Sequence, residues 1–512
     1  MKKSTVFIAF VVSLGGFLFG FDAGIISGVM NYAGPEFNLN DLQTGWVVSS
    51  PSFAAMIAML ISGRLSDRIG RKKILLGVAF LYAFSAVTSA LATSYELLYV
   101  ARMIGGVAFG TALILAPTYI AEISTAANRG KLVSIQQLNI VFGFFAAFLS
   151  NYFFNLLNAD GSSFLTDETT WRWMLGVEFF PAILYFISLF FVPKSPRWLY
   201  TQNQSVEAKE ILKQLHGPQQ SAIEIASIEQ SLQTQEKQEK VPLSALLKPS
   251  LRFIMLVGLT LGILQQVTGI NAVYFYATAI FKQTGMGDNA AFLSGVFLSM
   301  TTVAFTLIAI YFIDRMGRRP LLLVGIAGIA LSLLICSYGF SQATYRLSEE
   351  KISSMGIENA TALTSLTNTT YTSDIAFKRA VKEKIGAQAF AKNEGAILEA
   401  AIDINALLVL IGIVGFIACF AFSLGPVMWV MLSELFPNRY RGLAIGVIGF
   451  VNSFSSWFVQ QVFPWELSNL GASLTFMIYG LIAAVGVIIF LKVLPETKGK
   501  SLEEIEADLV KT

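Results

Sequence analysis

Histidine is almost missing from this chain: one residue in 512, His216, outside every long apolar run. Imidazole is therefore unavailable for proton chemistry inside those runs. Cysteine is nearly as scarce. Cys336 and Cys419 both fall in apolar stretches, too few for a metal site and no basis for a disulfide framework. Charge is thin too, with 13% Asp, Glu, Lys and Arg, where a soluble protein carries about 25%. The net charge is only +3 and no basic cluster interleaves with aromatics in a soluble stretch, which argues against nucleic acid as a partner. No nucleophile–base pair, phosphate loop or ligand cluster appears, so neither an enzyme nor a metal or cofactor is expected.

What the chain has instead is length without charge. Apolar runs of about 20 residues recur, enough to cross a bilayer core of roughly 30 Å. Twelve are read at 6–30, 44–62, 74–94, 97–120, 132–155, 172–192, 251–281, 291–313, 320–341, 404–432, 442–464 and 471–494. Strands need not be this long, so the expectation is an all-α, twelve-helix membrane protein in contact with the lipid bilayer. The first run continues past signal-peptide length without a small-residue cleavage site, which makes it a retained span. "GRLSDRIGRKK" (63–73), "NRGK" (128–131), "DRMGRR" (314–319) and "NRYRG" (438–442) share one side, against Glu36, Asp41, Asp160, Asp167 and Glu168 on the other. The basic side is cytoplasmic, and an even number of spans puts both termini there.

The sequence also repeats. Asp67, Gly70 and Arg71 recur 247 residues later as Asp314, Gly317 and Arg318; Glu122, Arg129 and Gly130 recur 312 residues later as Glu434, Arg441 and Gly442. The offset grows because an extra polar segment, 342–402, separates spans nine and ten. This predicts two pseudo-symmetric six-helix halves, 1–193 and 251–494, joined by a linker, 194–250, and followed by a tail, 495–512. The linker contains a capping box, Ser221-x-x-Glu224, before Ile225, Ile228 and Leu232 on one helical face; the tail repeats it with Ser501-x-x-Glu504 and Leu502, Ile505 and Leu509.

Seven motifs in order, "GRLSDRIGRKK", "AEISTAANRG", "VPKSPRWL" (192–199), "QQVTGIN" (265–271), "DRMGRRP", "GPVMWVMLSELFPNRYRG" and "LPETKG" (494–499), resemble the sugar porters of the major facilitator superfamily. That family includes bacterial sugar–proton symporters and the facilitative glucose carriers of animals. The similarity covers nearly the whole chain apart from 342–402, and it implies the major facilitator fold.

One charge stands out within "LGGFLFGFDAGIISG" (14–28): Asp22. It lies roughly 12 Å from the outer end of span one, and Arg102 lies roughly 8 Å into span four. Each would be costly alone, so the two are expected to pair. A fixed pair would only set helix packing. The functional expectation is that Asp22 alternates between protonated and ionised forms as Arg102 moves toward and away from it. The resemblance supports this, since its proton-coupled members carry an aspartate here and the facilitative ones an asparagine. Gly16, Gly20, Gly24 and Gly28 have the small-xxx-small spacing that lets helices approach closely.

Recognition of adjacent hydroxyls calls for amides and an aromatic plane. Span seven supplies Gln265, Gln266 and Asn271, which edge one side of a helix. By resemblance Gln137, Trp429 and Asn452 face the ligand, Phe19 and Phe420 line its apolar side, and Thr302 stands where an asparagine often contacts sugar. Gly425-Pro426 breaks span ten and permits bending, and Tyr276 is the matching gate residue on span seven. Asp67, Arg71, Glu122 and Arg129, with Asp314, Arg318, Glu434 and Arg441, stand at cytoplasmic helix ends as a charge lock.

Two further departures from the family pattern are Lys194, where a glutamate is usual, and Ser453, where tryptophan is common. Segment 342–402 has seven basic and seven acidic residues, helical character over 374–400, and sequons at Asn359 and Asn368. The reading is a monomeric proton-coupled monosaccharide importer of the bacterial inner membrane. Its rivals are sodium coupling, a facilitative sugar or polyol carrier, and a sugar sensor, which the short tail disfavours.

Overall fold

A computed structural model of the chain describes residues 3–125, 128–160, 165–237, 242–355 and 360–498. The expected tail helix around Ser501 and Leu509 and the sequon at Asn359 lie outside the described residues, as do the side chains of Leu232 and Asp314. Among the described residues, twelve helices are long and apolar enough to cross a membrane. In chain order the spans are Lys3–Glu36, Asp41–Ile69, Arg71–Ala90, Tyr95–Ile123, Arg129–Ala159, a broken sixth (Asp167–Gly176 and Phe179–Phe190), a twice-broken seventh (Pro249–Val267, Ile270–Phe275 and Ala277–Lys282), Asp288–Met316, Arg318–Ser341, a broken tenth (Ala406–Phe422 and Leu424–Leu435), Asn438–Asn469 and Gly471–Val493. Most run beyond the apolar segments read from sequence, because their polar ends continue the helix past the hydrocarbon. The end of each half that bears the repeated acid–arginine motifs is called the motif end below.

Contacts divide the chain into two compact units: 1–24, 50–147 and 172–241 in the first, 25–49, 148–171 and 242–512 in the second. In the first, spans one and five approach through reciprocal glycines. A Cβ at Gly20 would run into the Ile140 carbonyl, and one at Gly143 into the Phe17 carbonyl. In the second, Ser27 Oγ lies 2.7 Å from Thr278 Oγ1, Tyr32 Oη donates to Asn155 Oδ1 at 2.8 Å, and Asn155 Nδ2 donates to Asn289 Oδ1 at 2.6 Å. Ser49 Oγ donates to Gln461 Oε1 at 2.8 Å. These bonds tie the ends of spans one, two and five opposite the motif end to spans seven, eight and eleven.

The linker differs from expectation in one respect. Its long helix begins at Pro218, three residues before the proposed cap, and Ser221 Oγ donates back to the Pro218 carbonyl at 2.9 Å. Proline fits the first helical position, where no N–H is needed, and displaces the capping box. The firmly anchored amphipathic helix is Ser205–His216, which buries Ala208, Ile211, Leu212 and Leu215.

Segment 342–402 is a folded module. Thr344–Tyr345 pairs antiparallel with Ile402–Asp403 to close its neck, and Leu347, Leu363, Phe377, Val381, Phe390 and Ile397 form its core. Helices Asp374–Ile385 and Ala387–Ala401 match the helical character read over 374–400. The module grips two neighbours. Asp374 Oδ2 accepts from the Ala472 N–H at 3.2 Å, at the start of span twelve. Lys378 Nζ donates to Gln283 Oε1 at 2.8 Å, just past span seven, and pairs with Glu394 Oε1 at 3.0 Å. Burial alone would push the Glu394 carboxyl up, but Lys378, with Lys382 and Lys282 beyond it, holds it below its ordinary value of 4.5.

A carboxylate lowered in the folded state stabilises above its unfolded pKa and loses that effect as pH falls through the folded one. Hydrogen exchange in Asp374–Ile385 and Ala387–Ala401 should therefore accelerate below about pH 4.5. Lys378→Met should flatten that dependence; an unchanged profile in the variant would show that the Lys378 pair is not its source.

Candidate substrate and coupling sites

Span seven is interrupted where its polar residues lie. Gly269 takes φ +89°, and a Cβ there would press on the Tyr479 ring at 3.1 Å, so glycine is required on both counts. The break places Gln265 and Gln266 at the end of one helix and Asn271 at the start of the next. Asn271 Nδ2 donates to Gln266 Oε1 at 2.8 Å, and Gln266 Nε2 to Gln265 Oε1 and Asn452 Oδ1 at 3.3 Å each. Asn452 Nδ2 donates to Gln265 Oε1 and the Gly262 carbonyl at 2.8 Å. Gln265 Nε2 reaches the Leu424 carbonyl of span ten at 3.0 Å. Four amides from two spans thus form one network. An unpaired amide in such a buried place costs about 1–3 kcal/mol, and the network removes that penalty.

The other expected residues fall around it. Span ten breaks at Ser423 (φ −129°, ψ −92°), two residues before Gly425. Pro426 then sits in the first turn of the following helix, where its missing N–H costs nothing. The Phe420 ring lies 3.3 Å from where a Gly425 Cβ would be, and the Trp429 indole edge lies 3.8 Å from that of Gly449. Thr302 is buried and bonded to Tyr274 Oη at 2.5 Å. Tyr276 is buried at the second break of span seven and donates to the Gln460 carbonyl at 3.1 Å. Sequence reading missed Ser456 and Gln460, although they lie about one and two helical turns beyond Asn452 along span eleven. Ser456 Oγ accepts from Asn271 Nδ2 at 2.7 Å and from Gln460 Nε2 at 2.8 Å.

In the first unit Asp22 and Arg102 meet, Oδ1 to Nη1 at 3.2 Å, with side chains only 7% and 2% exposed. Glu178 is buried within electrostatic reach of both. Sequence reading passed over it, although a glutamate three residues before Pro181 inside an apolar run marked both a charge and the break of span six. Two carboxylates therefore lie within reach of one guanidinium, a buried cluster with one more acid than base. Phe19 packs on Phe109 at 4.9 Å between ring centres. Gln137 is exposed, whereas its neighbour Gln136 is buried with no partner for Oε1 among the described residues.

At the motif end each unit carries an acid–arginine cluster. Arg71 bridges Asp67 at 2.8 Å and Glu122 at 3.1 Å, and Ser195 Oγ donates to Glu122 Oε2 at 2.5 Å. Arg318 meets Glu434 at 2.8 Å, and Thr497 Oγ1 donates to Glu434 Oε2 at 2.6 Å. Arg129 is exposed, while Arg441 Nε donates to the Phe436 carbonyl at 3.1 Å. The copies differ at one point. Glu496 accepts from the Arg318 and Arg319 N–H groups at 3.2 Å, capping span nine. Its counterpart Lys194 pairs instead with Glu207 at 3.0 Å and is close enough to Lys72 to repel it. Lys194→Glu should supply the missing cap and raise stability by about 0.5–1 kcal/mol. A thermal melt checks it: an unchanged or lower Tm in the variant would exclude capping at this helix start.

Twelve apolar helices, broken beside buried polar clusters and duplicated around charged helix ends, define a membrane carrier rather than an enzyme. The sequence profile of a family described as sugar (and other) transporter matches residues 8–369 and 385–509, so the chain belongs to this sugar porter family of the major facilitator superfamily. It is 32% identical over 502 residues to the arabinose-proton symporter of Bacillus subtilis (strain 168), covering 98% of this chain and 94% of that protein. It is 30% identical over 501 residues to the major myo-inositol transporter IolT of the same strain, covering 98% and 93%. A partially occluded, inward-open structure of the xylose transporter XylE from E. coli superposes with a TM-score of 0.74 at 27% identity, covering 98% of this chain and all of that one.

Proposed function

We propose that this protein imports a monosaccharide, a hexose or pentose, together with a proton by alternating access, with the motif end in the cytoplasm. The observation that carries the reading is the buried Asp22–Arg102 pair beside Glu178. A facilitative carrier has no use for a third buried charge at such a pair, whereas a coupled one needs a carboxylate that can change its partner. The amide network supplies the other half, since paired N–H and C=O groups match the alternating donors and acceptors of vicinal hydroxyls. The similarity to an arabinose–proton symporter supports both parts, and the positive-inside rule supports the orientation. The breaks in spans seven and ten, beside Tyr276 and Gly425-Pro426, serve as the flexible gate elements. The charge clusters hold the motif end shut in the opposite state.

The test is uptake into proteoliposomes with an external pH electrode. Adding D-xylose, D-glucose or L-arabinose to the correct carrier alkalinises the medium in sodium-free buffer. Sugar flux without proton movement would replace symport by facilitation, and flux that requires sodium would replace the proton.

A further inference from the structure

Span seven ends in a short segment held at both ends. Ala277–Lys282 starts at the Tyr276 break and runs into the turn 283–287 that leads to span eight. Along it Thr278 meets the end of span one: its N–H donates to Ser27 Oγ at 3.0 Å, and the two hydroxyls lie 2.7 Å apart. A six-residue helix hinged at Tyr276 moves most at its far end, about 9 Å away. That far end is the part the 342–402 module grips.

The grip is made at several points. Lys378 Nζ donates to Gln283 Oε1 at 2.8 Å. A Cβ on Gly285 would run into Ile402 Cγ2, one on Gly287 would lie 2.8 Å from Glu399 Oε2, and one on Gly395 would lie 2.5 Å from Asp288 Oδ1. The turn therefore sits with its backbone pressed against the end of helix Ala387–Ala401. The module in turn is fixed elsewhere. Its paired neck continues from span nine and into span ten. The Asp374 carboxylate accepts from the Ala472 N–H and lies so close over Gly471 that a Cβ there would be 2.5 Å from Oδ1. The far end of Ala277–Lys282 is thus tied through the module to spans nine, ten and twelve, so the module does not simply follow the segment.

We infer that the 342–402 module is a conformational strap: it holds the last segment of span seven against span one and favours closure of the transport path opposite the motif end. Opening that end swings Ala277–Lys282 about Tyr276 and parts Gln283 from Lys378. A hydrogen bond from an ammonium group is stronger than a neutral one, but a single such bond biases the equilibrium without locking it. The inference rests on the alternating-access reading, with the module outside the cell, and the experiment separates the two.

Cys336→Ala and Cys419→Ala remove both native thiols, and Ser27→Cys then places one thiol at a position only 2% exposed. The full chain is labelled in intact cells from outside with a membrane-impermeant maleimide. Adding Gln283→Ala should speed labelling roughly tenfold, the population change expected from losing one charge-assisted bond. Gln283→Glu turns that bond into an ion pair with Lys378 and should label more slowly than the parent. Joining Tyr345 to Ile402 through an Asn-Gly turn removes the module at its paired neck and should label at least as fast as Gln283→Ala. Melting temperatures within a few degrees of the parent keep unfolding out of the comparison. Should the shortened chain fail to fold, the two Gln283 variants decide.

Equal rates in the parent and both Gln283 variants, or changes of the same sign in both, would overturn the strap while leaving sugar transport standing. A thiol that never labels in protein that transports sugar would overturn the gate reading at Tyr276 and the strap with it.

Discussion

Asp22→Asn should abolish accumulation of sugar against its gradient while sugar exchange across the membrane continues. The side chain keeps its shape and its hydrogen-bonding edge toward Arg102, but an amide cannot take up and release the proton that the proposed symport assigns to it. One proton moving down 100 mV supplies about 2.3 kcal/mol, which corresponds to roughly 50-fold accumulation, and that factor is what the substitution removes. The measurement is paired: internal sugar at steady state under an imposed potential, and counterflow with equal sugar on both sides. Retained accumulation with sugar-evoked alkalinisation would show that Asp22 is only a packing partner of Arg102. Glu178 makes the experiment sharper, because Asp22→Asn leaves one buried carboxylate beside one guanidinium. The variant then sets one acid against one base, which simplifies the reading of any loss of coupling.

Gln266→Ala should raise KM roughly 10- to 100-fold. Gln266 sits at the centre of the network, donating to Gln265 and Asn452 and accepting from Asn271. Its removal leaves buried polar atoms on those neighbours without partners, at about 1–3 kcal/mol for each one that stays dry. Water filling the space that the side chain vacates would relieve part of the cost to folding. Recognition has no such relief, because the remaining amides no longer hold the orientation a sugar requires. Measured on protein whose melting temperature falls by only a few degrees, an unchanged KM would place the sugar elsewhere.

Much of this was readable before any coordinates. The twelve apolar runs, the duplicated acid–arginine motifs and the single carboxylate in span one are one-dimensional signals. Glu178 was readable too, from the same rule that singled out Asp22, a charge inside an apolar run. Its position at a helix break hid it, because periodicity treats span six as one helix. Gln137 was singled out by resemblance alone, and the 100° turn that separates it from Gln136 leaves Gln137 exposed and Gln136 buried. Ser456 and Gln460 were invisible for a related reason, since serine and glutamine are ordinary residues in a membrane helix until a partner is known.

By itself the sequence determined what the chain must do with its own length: cross a membrane, repeat, and place its charges at helix ends. Those outcomes follow from hydrophobicity and charge counted along the chain, where the bilayer acts on each segment separately. Only the tertiary structure decided which buried polar groups meet. It folded 342–402 into a module braced on spans seven and twelve, and it broke spans six, seven and ten beside their polar residues. It joined four amides into one network and brought a second carboxylate to Asp22 and Arg102. Hydrogen bonds and ion pairs act over about 3 Å between atoms far apart in sequence, so no one-dimensional pattern specifies them.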